Sequence, residues 1–254
     1  MKSFARWLGL VLIALLALQL YFVARIALMA VVTPQSTSFQ RSEAWRLINE
    51  KGSLRWRQQW VDYKQISDNL KRAVIASEDD GFSNHEGVDW DALEKAWEKN
   101  AKAEQRAAKQ APVKPNANST KAATPPKQSK PPKIVGGSTI TQQLAKNLFL
   151  SGERTLVRKG QELVLTVLLE HLLSKQRILE IYLNSVEWGE GVFGAEAAAQ
   201  HYFRKPASQL SSYEAARLAV MLPRPRYYEK LSNSGYLASR AAVITGRMGD
   251  AQLP

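Results

Sequence analysis

The 254-residue sequence has no cysteine, which excludes disulfide staples, thiolate chemistry and cysteine-based zinc sites. Histidine is nearly as scarce: His85, His171 and His201 lie far apart, without the spacing that lets two imidazoles grip one metal ion. Period-two alternation of apolar and polar residues is rare, so the chain is expected to be mainly α, with at most a short hairpin. No aromatic residue occurs between Trp97 and Phe149. Acids almost vanish there too: from Lys99 to Lys133, nine lysines and arginines face the single carboxylate of Glu104.

That stretch supplies most of the formal net charge of +12. Pro112, Pro115, Pro125, Pro126, Pro131 and Pro132 forbid continuous helix from there on. Lys, Ala, Pro and Ser bury too little apolar surface to offset the entropy of ordering. The span at about 99–133 therefore reads as a basic linker interrupting a domain, loosely ordered from about residue 105. Attraction to anionic headgroups or wall polymers is one use for it; a tolerated insertion is the plainer reading. With the linker set aside, the remaining charge is modest and no nucleic-acid-binding module is recognisable, so no nucleic acid is expected as partner.

Charge is absent from another place. Trp7 to Ala24 runs eighteen residues without a charged side chain, and apolar character resumes after Arg25 as far as Val32. At 1.5 Å per residue such a run crosses a ~30 Å hydrocarbon core. A secretory signal peptide is the alternative, but its apolar region is shorter, about 7–15 residues, and no small-x-small cleavage site follows here. Lys2 and Arg6 keep residues 1–6 cytoplasmic, which makes 7–32 a single transmembrane anchor and places the rest outside. Residues 33–62 read as a membrane-proximal segment and 63–254 as one domain. Without anchor and linker about 180 residues remain, enough for one core.

What is present is concentrated in two blocks. Ser77 to Asp89, SEDDGFSNHEGVD, sets carboxylates and a histidine after the helical stripe Leu70, Ala73, Val74, Ser77, with Ser67 as its N-cap. Glu78 lies four after Val74, beside that stripe. Apolar walls disfavour a charged carboxylate and raise its pKa, which suits proton transfer near neutrality; a solvated helix end is the competing reading. Gly136 to Leu150, GGSTITQQLAKNLFL, supplies Ser138, Thr139, Thr141, Gln142, Gln143, Lys146 and Asn147 after two glycines that permit close backbone approach. Arg154, Arg158 and Lys159 follow. Donors and cations in this density suit a phosphate or diphosphate. Glu162 lies four after Arg158, either as an ion-pair partner or as the second carboxylate of a catalytic pair. Ser174 is expected to break the Arg158–Asn184 helical run, and Ser211 with Glu214 to form a capping box before a helix that Pro223 ends. Gly189, Gly191 and Gly194 spell G-x-G-x-x-G, but they follow a helical segment and read as a closely packed turn.

These blocks resemble the peptidoglycan glycosyltransferases, and more narrowly the monofunctional biosynthetic peptidoglycan transglycosylases. AVIASEDDGFSNHEGVD, GGSTITQQLAKN, RKGQE, KQRILEIYLN and GVFGAEAAAQHYF carry the likeness, in order, across about Ile66 to Tyr228 apart from the linker. The resemblance implies a lysozyme-like, two-lobed helical domain behind a single membrane helix in the bacterial cytoplasmic (inner) membrane. It implies transfer of a growing glycan from undecaprenyl diphosphate to the 4-hydroxyl of lipid II, with inversion. Glu78 becomes the general base, Lys146 and Arg154 the cations at the leaving diphosphate, and Glu162 the second glutamate. Substrate contacts fall on Asp79, Phe82, Ser138, Thr139, Gln142, Gln143, Asn147, Arg158 and Lys159. No cofactor is required; relatives can use a divalent cation (Mg or Mn) at the diphosphate, which would lie near Glu162. Lipid II, the polyprenyl-linked glycan and the membrane are the implied partners, with cell-division or elongation proteins as further ones. No S-x-x-K motif is present, so the transpeptidase of bifunctional relatives is not expected. A lysozyme-type hydrolase and an anchored, non-catalytic scaffold are the competing functions; the first has no use for the Gln142, Gln143, Lys146, Arg154 cluster.

Overall fold

The computed structural model describes residues 2–110, 137–153 and 155–254. They form two compact units, one of Met1–Val88 with Thr139–Pro254 and a smaller one of Asp89–Ser138. As the scarcity of alternation indicates, the described residues are mainly helical.

The first helix, α1 (Lys2–Leu28), is the apolar run, and it is long and apolar enough to cross a membrane. Its leucines are exposed along most of its length, while Phe22, Ile26 and then Met29 are buried against the domain. Helix α2 (Ser38–Lys51) starts at a capping box between Thr37 and Gln40 and ends at Gly52 in the left-handed region. It is not a free-standing spacer. Gln40 donates to the Ser185 carbonyl at 3.3 Å, and Glu43 lies buried between Arg46 and Arg226.

A short strand β1 (Arg57–Gln58) follows, then α3 (Asp68–Glu78), capped as expected by Ser67, whose Oγ accepts from Asn69 N at 3.2 Å. In the smaller unit, α4 (Trp90–Gln110) carries Trp90 and Trp97 exposed on its surface. It extends helix into the start of the span read as a loose linker. Alanine, lysine, glutamine and arginine fill this part, all good helix formers, and no proline intervenes before Pro112. The rest of that linker lies outside the described residues.

The larger unit resumes with α5 (Ile140–Phe149), α6 (Leu156–Leu172) and α7 (Lys175–Ser185). Ser174 caps α7, so the break comes where the sequence places it. Strands β2 (Glu187–Gly189) and β3 (Val192–Phe193) make the hairpin, but β1 adds a third strand parallel to β3, pairing Arg57 with Val192. Gly191 and Gly194 have φ of +72° and +85°, and a Cβ on Gly191 would lie 2.0 Å from the Arg55 carbonyl oxygen. This is the closely packed turn expected of the three glycines. Then come α8 (Ala195–Phe203), α9 (Ser212–Met221), α10 (Pro225–Glu229) and α11 (Gly235–Arg247). The Ser211–Glu214 capping box is present.

Helix α9 packs between α3 and α11, and its buried Ala215, Ala216 and Ala219 let the three backbones approach closely. Against the other side of the core, α5 lies on α6 and α7 through Leu144, Leu148, Leu165, Leu169 and Ile178. Glu78 at the end of α3, Gln143 and Lys146 on α5, and Tyr182 on α7 are thereby presented by rigid elements.

Candidate active site

Glu78 is the last residue of α3 and is half-buried. Burial raises its pKa from the ordinary glutamate value; a hydrogen bond from Gln143 opposes the rise, Asp79 adds to it, and Ser77 and Lys146 oppose it. The Gln143 amide Nε2 donates to Glu78 Oε2 at 3.0 Å, and its Oε1 accepts from the Tyr182 hydroxyl at 2.9 Å.

The loop after Glu78 is fastened to the start of α5. Asp79 is buried, its Oδ2 accepting from Ile140 N at 2.9 Å and its Oδ1 facing His85 Nε2 at 2.8 Å. His85 Nδ1 accepts from Gly87 N at 3.1 Å, so the ring proton sits on Nε2 and is donated to Asp79. The Gly87 carbonyl in turn accepts from Thr139 Oγ1 at 2.6 Å. A carboxylate against the first N–H of a helix is favourably placed for the helix dipole. Phe82 is completely buried, with Lys175 Nζ 4.6 Å from its ring centroid. The structure thus uses Asp79 and Phe82, read from the resemblance as substrate contacts, to hold this loop, with one donor on each Asp79 oxygen and the Phe82 ring fully buried.

Thr139 and Gln142 are likewise engaged in the cap of α5. Thr139 Oγ1 accepts from Gln142 N at 3.2 Å and Gln142 Oε1 from Thr139 N at 3.3 Å. Lys146, one turn after Gln142, makes no ion pair among the described residues. The residue is exposed. Such desolvation as the neighbouring protein imposes lowers its pKa from the usual lysine value, Glu162 and Glu78 pull it back up, and Arg158 and Lys159 lower it further. Asn147 is half-buried beside it on α5.

On the first turns of α6, Glu162 is buried and accepts from Arg158 Nη1 at 3.0 Å and from Lys159 Nζ at 2.5 Å. The ion-pair reading of Glu162 is therefore realised, and its charge also reaches Lys146. Both oxygens being held by cations, this donor set does not fit a divalent metal ion, which would face Arg158 and Lys159 at close range. Ser138 belongs to the smaller unit, and Arg154 lies outside the described residues. Glu78, Gln143 and Lys146 come together, with Arg158, Lys159 and Glu162 coupled to Lys146.

Comparison with known sequences decides the family. The sequence model of the transglycosylases matches residues 46–109 and 118–249. The chain belongs to the transglycosylase family. Among similar proteins are biosynthetic peptidoglycan transglycosylases of Burkholderia thailandensis, 52% identical over 257 residues covering 100% of this chain and 90% of the relative, and of Burkholderia pseudomallei, 51% identical with the same coverage. That of Herminiimonas arsenicoxydans is 52% identical over 249 residues, 98% of this chain and 96% of the relative. The two stretches matched to the transglycosylases contain all the site residues placed above.

Sequence reasoning missed Tyr182. It stands in the KQRILEIYLN block among buried apolar residues, and a phenol at such a helix position needs a polar partner. That requirement was the available signal; the partner, thirty-nine residues away, was not legible. The Thr141–Glu170–Lys175 cluster, with hydrogen bonds of 2.5 and 2.9 Å, was missed for the same reason.

Proposed function

We propose that this transglycosylase polymerises the glycan strands of peptidoglycan from lipid II, with Glu78 as base. The observation that carries the reading is a half-buried carboxylate of raised pKa, held by Gln143 in the same site as the ammonium of Lys146, which makes no ion pair among the described residues. Glu78 takes the proton of the acceptor 4-hydroxyl. The oxygen forms a bond to the anomeric carbon of the donor strand, the bond from that carbon to the diphosphate oxygen breaks, and its electron pair leaves with undecaprenyl diphosphate, with inversion. Charge accumulating on the diphosphate is met by Lys146 and, on this reading, by Arg154. Arg158 and Lys159 keep the surroundings cationic while Glu162 fixes their direction. Ser138, Asn147 and the amide nitrogen of Gln142, which has no partner among the described residues, are proposed as donor contacts. In this scheme the protein's own cations carry the leaving-group charge, and no metal-dependent step is invoked.

We further propose that α1 anchors the chain in the bacterial cytoplasmic membrane with the N-terminus inside, since Lys2 and Arg6 precede the span. The apolar helix 27 residues long supports the anchoring itself. The test is polymerisation of labelled lipid II by the full chain in detergent, beside Glu78→Gln. Long muramidase-sensitive strands from the wild type and none from the variant are expected; strands from the variant would remove Glu78 from its role.

A further inference from the structure

Tyr182 is completely buried on α7, and among the described residues its hydroxyl has one polar partner, Oε1 of Gln143, at 2.9 Å. The next link is the 3.0 Å bond from Gln143 Nε2 to Glu78 Oε2. A primary amide can be turned over, exchanging its oxygen and nitrogen, and the two orientations serve different states of a carboxyl group. With nitrogen toward Glu78 the amide donates to the ionised form. With oxygen toward Glu78 it accepts from the protonated form. Which orientation is cheaper depends on what stands behind the amide. A phenol behind it has one proton to give. With Oε1 facing the ring the proton is used; with Nε2 facing the ring, the phenol oxygen can accept but its proton is left without an acceptor in the buried pocket.

We infer that Tyr182 is a positioning residue which, by donating to Gln143, holds that amide in the orientation that favours the ionised, proton-accepting form of Glu78. This rests on Glu78 being the base. The charged groups facing Glu78 among the described residues are Asp79 at the end of its own helix and Lys146 on α5. From α7 only the phenol faces it, and burial beside Glu78 and Asp79 holds that phenol far above its ordinary pKa, so it stays a donor through the working range. Burial and Asp79 push the base toward protonation, and the Tyr182–Gln143 chain pushes back without adding a charge. A cation in the place of Gln143 would pair with Glu78 too tightly for a group that must take up a proton and release it each cycle.

The test is the pH dependence of kcat/KM for lipid II polymerisation by the full chain in detergent, for wild type, Tyr182→Phe, Gln143→Ala and the double variant. Loss of the phenol lets the amide turn, so in Tyr182→Phe the acid limb moves up by about half to one pH unit, the worth of one hydrogen bond, while activity on the plateau survives. The double variant has the same acid limb as Gln143→Ala alone, because Tyr182 acts only through Gln143. Replacing Tyr182 by 3-fluorotyrosine, nearly the same shape and a stronger donor, moves the limb down, and serves if the phenylalanine variant folds poorly. An even fall in kcat at every pH with the limb unmoved, or additive shifts in the double variant, would overturn the inference and leave Tyr182 a packing residue. Activity in Glu78→Gln would instead overturn the assignment of the base, so the two failures are distinguishable.

Discussion

Asp79→Asn exchanges one carboxylate oxygen for an NH₂ group and is expected to cost both stability and activity. In the wild type two donors converge on the buried carboxylate, Ile140 N at 2.9 Å and His85 Nε2 at 2.8 Å, one on each oxygen. An asparagine offers one oxygen, so one donor is left facing an NH₂ group. His85 cannot resolve the conflict by moving its proton, because Nδ1 is occupied by Gly87 N–H at 3.1 Å. A buried hydrogen-bonding group left unpaired costs about 1–3 kcal/mol, and loss of a negative charge at the start of α5 adds about 0.3–1 kcal/mol. The sum, about 1–4 kcal/mol, corresponds to a fall in Tm of roughly 3–16 °C for a domain of this size. Heating the full chain in detergent and following tryptophan fluorescence measures it. Asp80→Asn is the control: that side chain is exposed and, among the described residues, pairs only with Arg247 at 3.0 Å on the surface, where removal is worth about 0–1 kcal/mol. If Asp79→Asn melted within about 1 °C of the control, the account of the 79–88 loop as a rigid tie between α3 and α5 would be wrong.

Glu78→Gln is predicted to be inactive yet at least as stable as the wild type at pH 7.5. Glu78 binds its proton more tightly folded than unfolded, so the fold loses stability as pH rises from the ordinary glutamate range through the raised value, and an uncharged glutamine removes that loss; a clearly lower Tm would contradict it. For the same reason turnover should fall as pH drops through an acid limb above the glutamate value of 4.5, read from a pH–rate profile. Lys146→Met should lower kcat by about 10²–10³-fold, as for loss of one preorganised charge at a developing anion. Lys146→Arg should extend whatever activity it keeps to higher pH, since the wild-type ammonium is lowered and guanidinium is not titrated there. Gly191→Ala should unfold the β2–β3 turn, because its Cβ would sit 2.0 Å from a backbone oxygen at a φ of +72°; soluble protein with an unchanged melt would refute this.

The parts legible in the sequence are those set by nearby residues. Ser67, Ser174 and Ser211 mark helix starts because a cap is satisfied within three residues of itself, and Glu78 is found because its distance from the apolar stripe is a matter of helix pitch. What escaped is set by distant pairing. The two residues of β1 are too few to show a period, and their partner lies on the far side of the helical core in sequence. Asp79 and Phe82 sit inside a block that carries the family resemblance, so position alone suggested substrate contact; only the bonds to Ile140 and His85, and the burial of Phe82, show that they hold the loop. In α4, basic and small residues were weighed for their inability to build a core, while their ease in forming helix was the property that governed residues up to Gln110.

The union of α1 with the domain fixes how deep the enzyme rides. Gln19 and Gln161 exchange hydrogen bonds at 3.1 and 3.3 Å, Phe22 meets Phe149 edge-on at 5.4 Å, and Arg177 Nε donates to the Met29 carbonyl at 2.8 Å. The helix from Trp7, where the uncharged run begins, to Gln19 is about 20 Å long at 1.5 Å per residue, about 10 Å short of a ~30 Å hydrocarbon layer. With α1 upright in a bilayer, the start of α6 then lies within the outer part of the oil, and the bare side chains of Leu156, Val157 and Val164 are wetted by lipid tails in place of water. On the proposed function, such a body floats with its waterline across α6, and a polyprenyl chain would keep its hydrocarbon submerged while its diphosphate surfaces at Lys146.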